Sequence, residues 1–220
     1  MVMDRVLPAV RAGAPVVILD DRREFEGDLF CAAEKVEPEV LQFMIRQCSG
    51  FLCLAMPRER LEEIGIPRMS TIIDLLEDQS RRVWRDFLGA LRQQAANTPF
   101  PFPVDLKGLQ SGISVADRYS TIRALLHPDA HIRQFECPGH LPLLGSHPQG
   151  LAGRIGHTES AVELCRVAGL KPAGLLCEIC SDDGAMYRGE ELEQFARANC
   201  LEVVTISQLV EHMRVPAQGV

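Results

Sequence analysis

The sequence lacks any apolar run that approaches the ~18 consecutive residues a membrane-spanning helix needs. Its first residues, MVMDRV, also lack the basic-then-apolar form of a secretory signal peptide. These two absences argue against a membrane partner and against export. We therefore expect a cytoplasmic protein.

Positive charge is scarce as well. The chain has 23 Lys and Arg residues against 30 Asp and Glu residues, which gives a formal net charge of −7. Nucleic acids are bound through basic faces that neutralise phosphates, so we expect no nucleic-acid partner. A length of 220 residues allows one sizeable core, and a single domain over residues 1–220 is expected.

The cysteines lack the spacing of a zinc site. Eight are present, and Cys31, Cys53, Cys165, Cys177 and Cys180 lie within apolar runs. The CxxC at residues 177–180 has no second CxxC and no His pair at zinc-finger spacing to complete it. We therefore interpret these cysteines as reduced, buried thiols.

Apolar runs that suit strands alternate with segments of helical spacing, and no internal repeat is visible. This alternation predicts an α+β (α/β-like) fold, a mixed β-sheet covered by helices in a single domain. Residues 71–96 stand apart as an amphipathic, inserted helix, which we interpret as a core or dimer-contact helix. A helix that fills a partner's groove is the alternative. Predicted strands include 16–19, 29–33, 51–56, 140–144 and 173–179, and predicted helices include 4–14, 58–64, 115–126 and 158–168.

A charged cluster follows the first predicted strand. Five of the seven residues in 22–28, RREFEGD, carry a charge, and an apolar run resumes at 29–33. A solvated turn is the simpler interpretation. However, burying unpaired charges between two core strands costs too much to serve packing alone, and this favours a polar functional site.

Other polar groups stand at the ends of predicted elements. Glu178 lies within an apolar strand, where a salt bridge and a functional role are equally reasonable. His157 begins a helix, a position that disfavours a charged imidazole and suits a metal ligand. In general, however, a single histidine at a helix N-terminus is expected to make a structural contact there and to bind no ligand. Arg154, Thr158 and the free N–H groups of that helix suit a phosphate. A second turn, at 111–114, also precedes a helix and offers N–H groups to an anion.

Four segments carry a resemblance to a known family. DDRREFEGD at 20–28 is close to the pattern DDxxRENEGD, and PGHLPL at 138–143 is close to PGHxxPL. GHTES at 156–160 is close to GHTEA, and VAGLKPAGLLCE at 167–178 is close to LAGxxPAGxxCE. In this order the four segments resemble the 3,4-dihydroxy-2-butanone 4-phosphate synthase family, over roughly residues 10–70 and 110–213.

The resemblance implies a lyase of riboflavin biosynthesis that converts ribulose 5-phosphate to 3,4-dihydroxy-2-butanone 4-phosphate and formate. It also implies a homodimer that depends on Mg²⁺ or Mn²⁺. The implied metal ligands are Glu24 and His157, and the implied catalytic residues are His140, Glu178 and Glu26. The implied substrate-binding residues are Arg23, Asp28, Arg154, Thr158, Ser111 and Cys53.

The sequence departs from the family at three places. Phe25 replaces an asparagine beside the metal loop, which is also one residue shorter, and QSG at 110–112 replaces TTG. The family segment NTxxxGTxFTV has no recognisable counterpart, and residues 98–103 are rich in proline instead. We still expect a competent enzyme acting on ribulose 5-phosphate. The alternatives are a specialised-metabolism paralogue that applies the same enediolate chemistry to another phosphorylated sugar or adduct, and a scaffold that binds a partner through 71–96.

Overall fold

The computed structural model describes residues 2–69, 71–72, 100–181 and 183–214. The strands in this part are β1 (Val16–Leu19), β2 (Gly27–Ala32), β3 (Leu52–Pro57), β4 (Val104–Leu106), β5 (Phe135–Leu141), β6 (Leu143–Ser146), β7 (Gly174–Glu178) and β8 (Glu202–Thr205). The helices are α1 (Met3–Ala12), α2 (Pro38–Gln47), α3 (Arg58–Ile64), α4 (Val115–Leu125), α5 (His157–Val167), α6 (Glu190–Ala198) and α7 (Ile206–Arg214).

The main sheet has six strands in the order β6-β3-β7-β2-β1-β8. β3 runs parallel to β6 and β1 runs parallel to β8, whereas the three pairs between β3 and β1 are antiparallel. β4 and β5 form a separate antiparallel pair. The predicted mixed sheet with helices is therefore confirmed.

Apolar side chains cover both faces of the sheet. β2 is buried along its whole length, and its residues alternate between the two core clusters: Leu29 lies in one and Phe30 in the other. The first cluster takes Leu41 from α2 and Ile122 from α4, and the second takes Leu164 from α5 with residues of α1 and α7. Because both faces are covered, a polar side chain on β2 or β7 must lie near a strand end.

Several predicted boundaries agree with the structure. β1 spans the predicted 16–19 and α3 spans the predicted 58–64, ending where Gly65 adopts φ 92°. β2 begins at Gly27, two residues before the predicted start, because Gly27 and Asp28 pair with Leu19 and Ile18 of β1. Asp28 thus belongs to a strand and not to the loop.

The predicted strand at 140–144 is wrong. The run is divided between β5 and β6, and Pro142 stands between them. Because proline has no backbone N–H, Pro142 cannot continue the strand ladder as a donor. Its carbonyl nevertheless accepts the Leu54 N–H of β3, at 2.9 Å, and so contacts the main sheet. The chain can therefore leave the β4–β5 pair and enter the main sheet within one residue.

The thiols behave largely as predicted. All eight cysteines are free, and Cys31, Cys53, Cys165 and Cys177 are buried, whereas Cys180 is only partly buried. The predicted helix at 71–96 lies outside the described residues except for 71 and 72, and it stays a prediction, as does the extent of the domain. Among the described helices, none is both long and apolar enough to cross a membrane.

Candidate active site

Two carboxylates face each other across the centre of the sheet. The antiparallel register of β2 and β7 places Asp28 directly opposite Glu178, the last residue of β7. Asp28 is buried, whereas Glu178 is only partly buried and its side chain reaches solvent. Burial raises the pKa of Glu178, and the negative charge of Asp28 raises it further. The strand ends thus hold a pair in which a proton is readily retained.

The predicted metal ligands lie close to this carboxylate pair. Burial also raises the pKa of Asp28; the charge of His157 opposes that shift, and the charges of Glu24 and Glu26 add to it. The same three side chains act on Glu178. The acidic loop before β2 and the first turn of α5 therefore meet at one end of the sheet, although more than half of the chain separates them in sequence.

His157 carries an unsatisfied ring nitrogen. Among the buried side-chain nitrogen and oxygen atoms of the described residues, only its Nε2 has no hydrogen-bond partner. A buried, unpaired imidazole nitrogen is costly unless a ligand satisfies it. No group of three or more His, Cys, Asp or Glu side chains in that same part is arranged to hold a metal by itself. Mg²⁺ retains several waters and uses one or two protein ligands, so His157 with Glu24 fits it.

The acidic loop is fixed by its own backbone and by two neighbouring elements. Asp20 is buried, and its Oδ1 accepts the N–H groups of Arg22 and Arg23 at 2.9 and 3.0 Å. Glu26 forms an ion pair with Arg188 at 2.5 Å. These contacts leave the side chains of Arg23 and Glu24 exposed at the tip of the loop.

Phe25 adopts an unusual backbone conformation in this loop. Its φ is 55°, in the left-handed region that asparagine tolerates better than other non-glycine residues. Its side chain is 56% exposed. A bulky ring here thus combines backbone strain with an exposed apolar surface next to the carboxylates.

Cys53 of β3 lies on the same side of the sheet as the carboxylate pair. It is buried, and burial raises the pKa of its thiol, with the charges of Asp28 and Glu178 adding to the shift. The thiol therefore stays protonated. It can pack against a substrate or donate a weak hydrogen bond, but it is a poor nucleophile.

Arg154 and Thr158 lie at the N-terminus of α5. Arg154 Nη1 contacts the Oε2 of Glu159 at 3.1 Å, and the side chain of Glu159 is fully buried. The other oxygen of Glu159 accepts the backbone N–H of His147 at 2.9 Å. Glu159 therefore fixes the direction of Arg154 next to the free N–H groups of the helix, and Thr158 is buried beneath them.

The turn before α4 differs from its predicted form. Ser114 caps α4, with its hydroxyl accepting the Asp117 N–H at 3.0 Å, and residues 114–117 have the S-x-x-D spacing that is typical of such a cap. However, the backbone N–H groups of Ser111 and Gly112 both donate to Asp117 Oδ2, at 3.2 and 3.1 Å. The Ser111 hydroxyl donates to the same oxygen at 2.9 Å. The expectation of free N–H groups at this turn is thus wrong, because a carboxylate of α4 already occupies them.

His140 belongs to a second cluster, in the β4–β5 pair. Its Nδ1 lies 2.6 Å from Asp105 Oδ2, and its backbone N–H donates to Asp105 Oδ1 at 2.9 Å. Arg118 is buried near this cluster; burial lowers the pKa of its guanidinium, and the charge of Asp105 opposes that shift. A buried cation therefore lies close to the carboxylate that contacts His140.

The structure thus brings six of the predicted residues to one end of the sheet: Glu24, Glu26, Asp28, Cys53, His157 and Glu178. Arg154 and Thr158 lie at the start of the adjoining helix. His140 lies apart from these residues, in contact with Asp105. Four residues that position these side chains were not singled out from the sequence: Asp20, Asp105, Glu159 and Arg188. Asp20 and Glu159 stand inside the family motifs, so their place was a usable signal. Asp105 had no such signal beyond being an acid between two apolar residues, Val104 and Leu106.

Comparison with known proteins gives consistent matches. The family model of 3,4-dihydroxy-2-butanone 4-phosphate synthase matches residues 4–212. The 3,4-dihydroxy-2-butanone 4-phosphate synthase of Agrobacterium fabrum is 38% identical over 214 residues, which cover 96% of this chain and 92% of that protein. The riboflavin biosynthesis protein RibBA of Salinispora arenicola is 37% identical over 214 residues, and this chain spans 46% of its length.

A solved structure matches the fold at a similar level. A 3,4-dihydroxy-2-butanone 4-phosphate synthase crystallised in complex with two magnesium ions aligns with a TM-score of 0.80 and 33% identity. The alignment covers 96% of this chain and 95% of that one. The magnesium ions belong to that protein, and its fold is the fold described above.

Proposed function

Because the chain belongs to the 3,4-dihydroxy-2-butanone 4-phosphate synthase family, we propose that it converts ribulose 5-phosphate to 3,4-dihydroxy-2-butanone 4-phosphate and formate. It is an enzyme of the lyase class in riboflavin biosynthesis, and Mg²⁺ is its cofactor. The observation that supports the proposal most strongly is the raised-pKa pair Asp28–Glu178 beside the unsatisfied Nε2 of His157.

Glu24 and His157 hold the metal ion in this proposal. The unsatisfied imidazole nitrogen and the exposed carboxylate at the loop tip provide one nitrogen and one oxygen ligand. When bound, the divalent ion supplies positive charge that stabilises negative charge developing on neighbouring substrate oxygens. The site favours a cation in any case, because burial and the negative charges of Glu24 and Glu26 raise the pKa of both Asp28 and Glu178.

Glu178 and His140 move protons. The reaction removes a proton next to a carbonyl, loses water, shifts a carbon, takes up water again and expels formate, so at least one base and one acid are needed. A carboxyl group with a raised pKa can act both as an acid and as a base at a pH closer to neutral than an ordinary glutamate can. Glu26, which Arg188 holds at the same sheet end, is the third carboxylate near the reacting carbons.

The substrate phosphate binds at the start of α5. Arg154, fixed by Glu159, and the free N–H groups of the helix form a cationic corner beside Thr158. Arg23 reaches the same substrate from the tip of the acidic loop, and Asp28 and Cys53 contact its carbon chain. Ser111 can join them only if its hydroxyl leaves Asp117. Anchoring one end of the sugar places the carbonyl carbon over the carboxylates.

We also propose a homodimer and a cytoplasmic location. The aromatic side chains of Phe25 and Phe51 are 56% and 49% exposed, and each lies within a few residues of the catalytic strands in sequence. A second subunit would cover such surface. The eight free thiols suit a reducing compartment.

The test is formate release from ribulose 5-phosphate by the purified protein with Mg²⁺. We expect turnover, and we expect His157→Ala and Glu24→Gln to abolish it together with calorimetric Mg²⁺ binding. Glu193→Gln is the matched control, because it removes an exposed carboxylate from an ion pair within α6. The control should retain both properties.

No formate from folded protein that binds Mg²⁺ would reject ribulose 5-phosphate as the substrate. The exposed ring of Phe25 would then favour the paralogue that acts on a different phosphorylated sugar. No Mg²⁺ binding by the unmodified protein would reject the assignment of Glu24 and His157.

A further inference from the structure

We propose that Asp105 is the positioning residue for His140, holding the imidazole so that Nε2, and not Nδ1, faces the reacting carbons. The inference rests on the proposed function, since it refines how His140 moves a proton there. Asp105 would act through His140 and would not touch the substrate itself.

The geometry of the pair has two points of attachment. Asp105 Oδ1 accepts the backbone N–H of His140 at 2.9 Å, and Asp105 Oδ2 lies 2.6 Å from His140 Nδ1. The Asp105 side chain is 9% exposed, whereas that of His140 is 53% exposed. One carboxylate thus fixes both the backbone and the ring of His140, and it leaves the far side of the ring open.

This arrangement selects the tautomer. An ionised carboxylate can only accept hydrogen bonds, so Nδ1 must carry the proton that lies between the two side chains. The lone pair then remains on Nε2, which is free to take a proton. After the transfer, the nearby negative charge stabilises the imidazolium, as in other histidines oriented by a carboxylate.

Neighbouring residues hold Asp105 in place. β4 is joined to α4 by the hydrogen bond from the Leu106 N–H to Thr121 Oγ1, at 3.1 Å. The buried Arg118, whose Nε donates to the Ile113 carbonyl at 2.9 Å, provides a counter-charge. Burial lowers the pKa of Arg118, and the charge of Asp105 opposes that shift. A carboxylate with a fixed backbone and a buried counter-charge is well suited to orient a ring.

The surface of the same protein offers a matched control. His127 Nδ1 lies 3.8 Å from Asp129 Oδ2, and these side chains are 63% and 91% exposed. This His–Asp pair has the same chemistry but neither the close contact nor the burial. Asp129→Asn therefore removes an equal charge without affecting an oriented imidazole.

The experiment compares Asp105→Asn with Asp129→Asn. Asparagine preserves the shape of the side chain but removes its charge. We expect Asp105→Asn to lower kcat by about 10- to 100-fold, as typical for groups that orient a reacting side chain, while KM stays within about threefold. Asp129→Asn should leave both constants unchanged. A kcat for Asp105→Asn equal to that of the control would overturn the proposal.

A second readout does not require turnover. In ¹⁵N-histidine NMR, His140 should show a strongly hydrogen-bonded Nδ1–H, identified by its loss in His140→Gln. Asp105→Asn should weaken this signal, and Asp129→Asn should leave it intact. If the wild-type protein gives no formate but shows the signal, the proposed substrate fails and the positioning role stands. If His140 carries its proton on Nε2 in the wild type, the positioning role fails whatever the activity.

Discussion

Replacing Gly112 with alanine perturbs the His140–Asp105 pair without altering either member. A Cβ at position 112 would lie 2.2 Å from Asp105 Oδ2 and 2.7 Å from His140 Nδ1. Ordinary van der Waals contact begins at about 3.4 Å, so the carboxylate would have to move by about 1 Å. That displacement would break the 2.6 Å contact between the two side chains.

The backbone cost of this substitution can be separated from the clash. Gly112 has φ 71°, and Gly108, in the same connection between β4 and α4, has φ 83° with no atom within 4 Å of the place that a Cβ would take. Alanine in the left-handed region costs about 1–2 kcal/mol at either site. Only Gly112→Ala adds the overpacking term, about 1–3 kcal/mol. Gly108→Ala is therefore the matched control.

The activity should separate the two variants more sharply than stability does. Misplacing a reacting group by about 1 Å can cost about 100-fold in rate. We expect formate release by Gly112→Ala to fall by that order, and Gly108→Ala to stay near the wild-type rate. Urea unfolding measures the free energy of unfolding of both variants, so rates can be compared where each is folded.

One result would refute this reasoning. If Gly112→Ala is folded, is less stable than Gly108→Ala and still turns over at the control's rate, then contact between Asp105 and His140 is not required for catalysis. A loss of rate that is equal in both variants would indicate a general effect of the loop and not of the pair.

Two further predictions concern the carboxylates. In the metal-free protein the pKa values of Asp28 and Glu178 are raised on folding, so the folded state binds more protons than the unfolded state above the ordinary values of about 4. The free energy of unfolding, measured in EDTA, should therefore fall as the pH rises through this window. Asp28→Asn should reduce the corresponding decrease of Tm with pH. A decrease of Tm as steep as in the wild type would contradict the raised pKa of Asp28. Glu159→Gln should destabilise the fold by about 1–3 kcal/mol and raise KM more than it lowers kcat, because Arg154 loses its buried partner. Glu163→Gln, which removes the partner of Arg166 in the same helix, should leave KM unchanged and thus provides the control.

Much of the site was predictable because it lies at the ends of elements with strong local patterns. The charged run at 22–28 follows a short apolar strand, and His157 begins a helix, so each could be placed without knowing the fold. Asp28 was expected in the loop, yet it is the second residue of β2. Only the ladder with β1 shows this, because a strand's start depends on its partner as well as on its own residues.

The parts that the sequence did not predict are contacts over long distances in the chain. Asp105 lies 35 residues before His140 and contacts it where the β4–β5 register shifts between Val104 and Asp105. The turn at 111–114 has the sequence of an anion-binding turn, but Asp117 already accepts its N–H groups. Whether a polar group is free or occupied depends on neighbours that local propensity does not determine.

The sequence alone determined most of the strands and helices, since hydrophobic periodicity, capping residues and glycine act over a few residues, although the start of β2 and the division of 140–144 were not among them. Only the tertiary structure decided that Asp28 faces Glu178, that His157 keeps an unpaired nitrogen and that Asp105 holds His140. Strand register and burial set those relations. Both depend on segments far apart in sequence packing around one sheet, where an acid is solvated at one position and buried with a raised pKa at another.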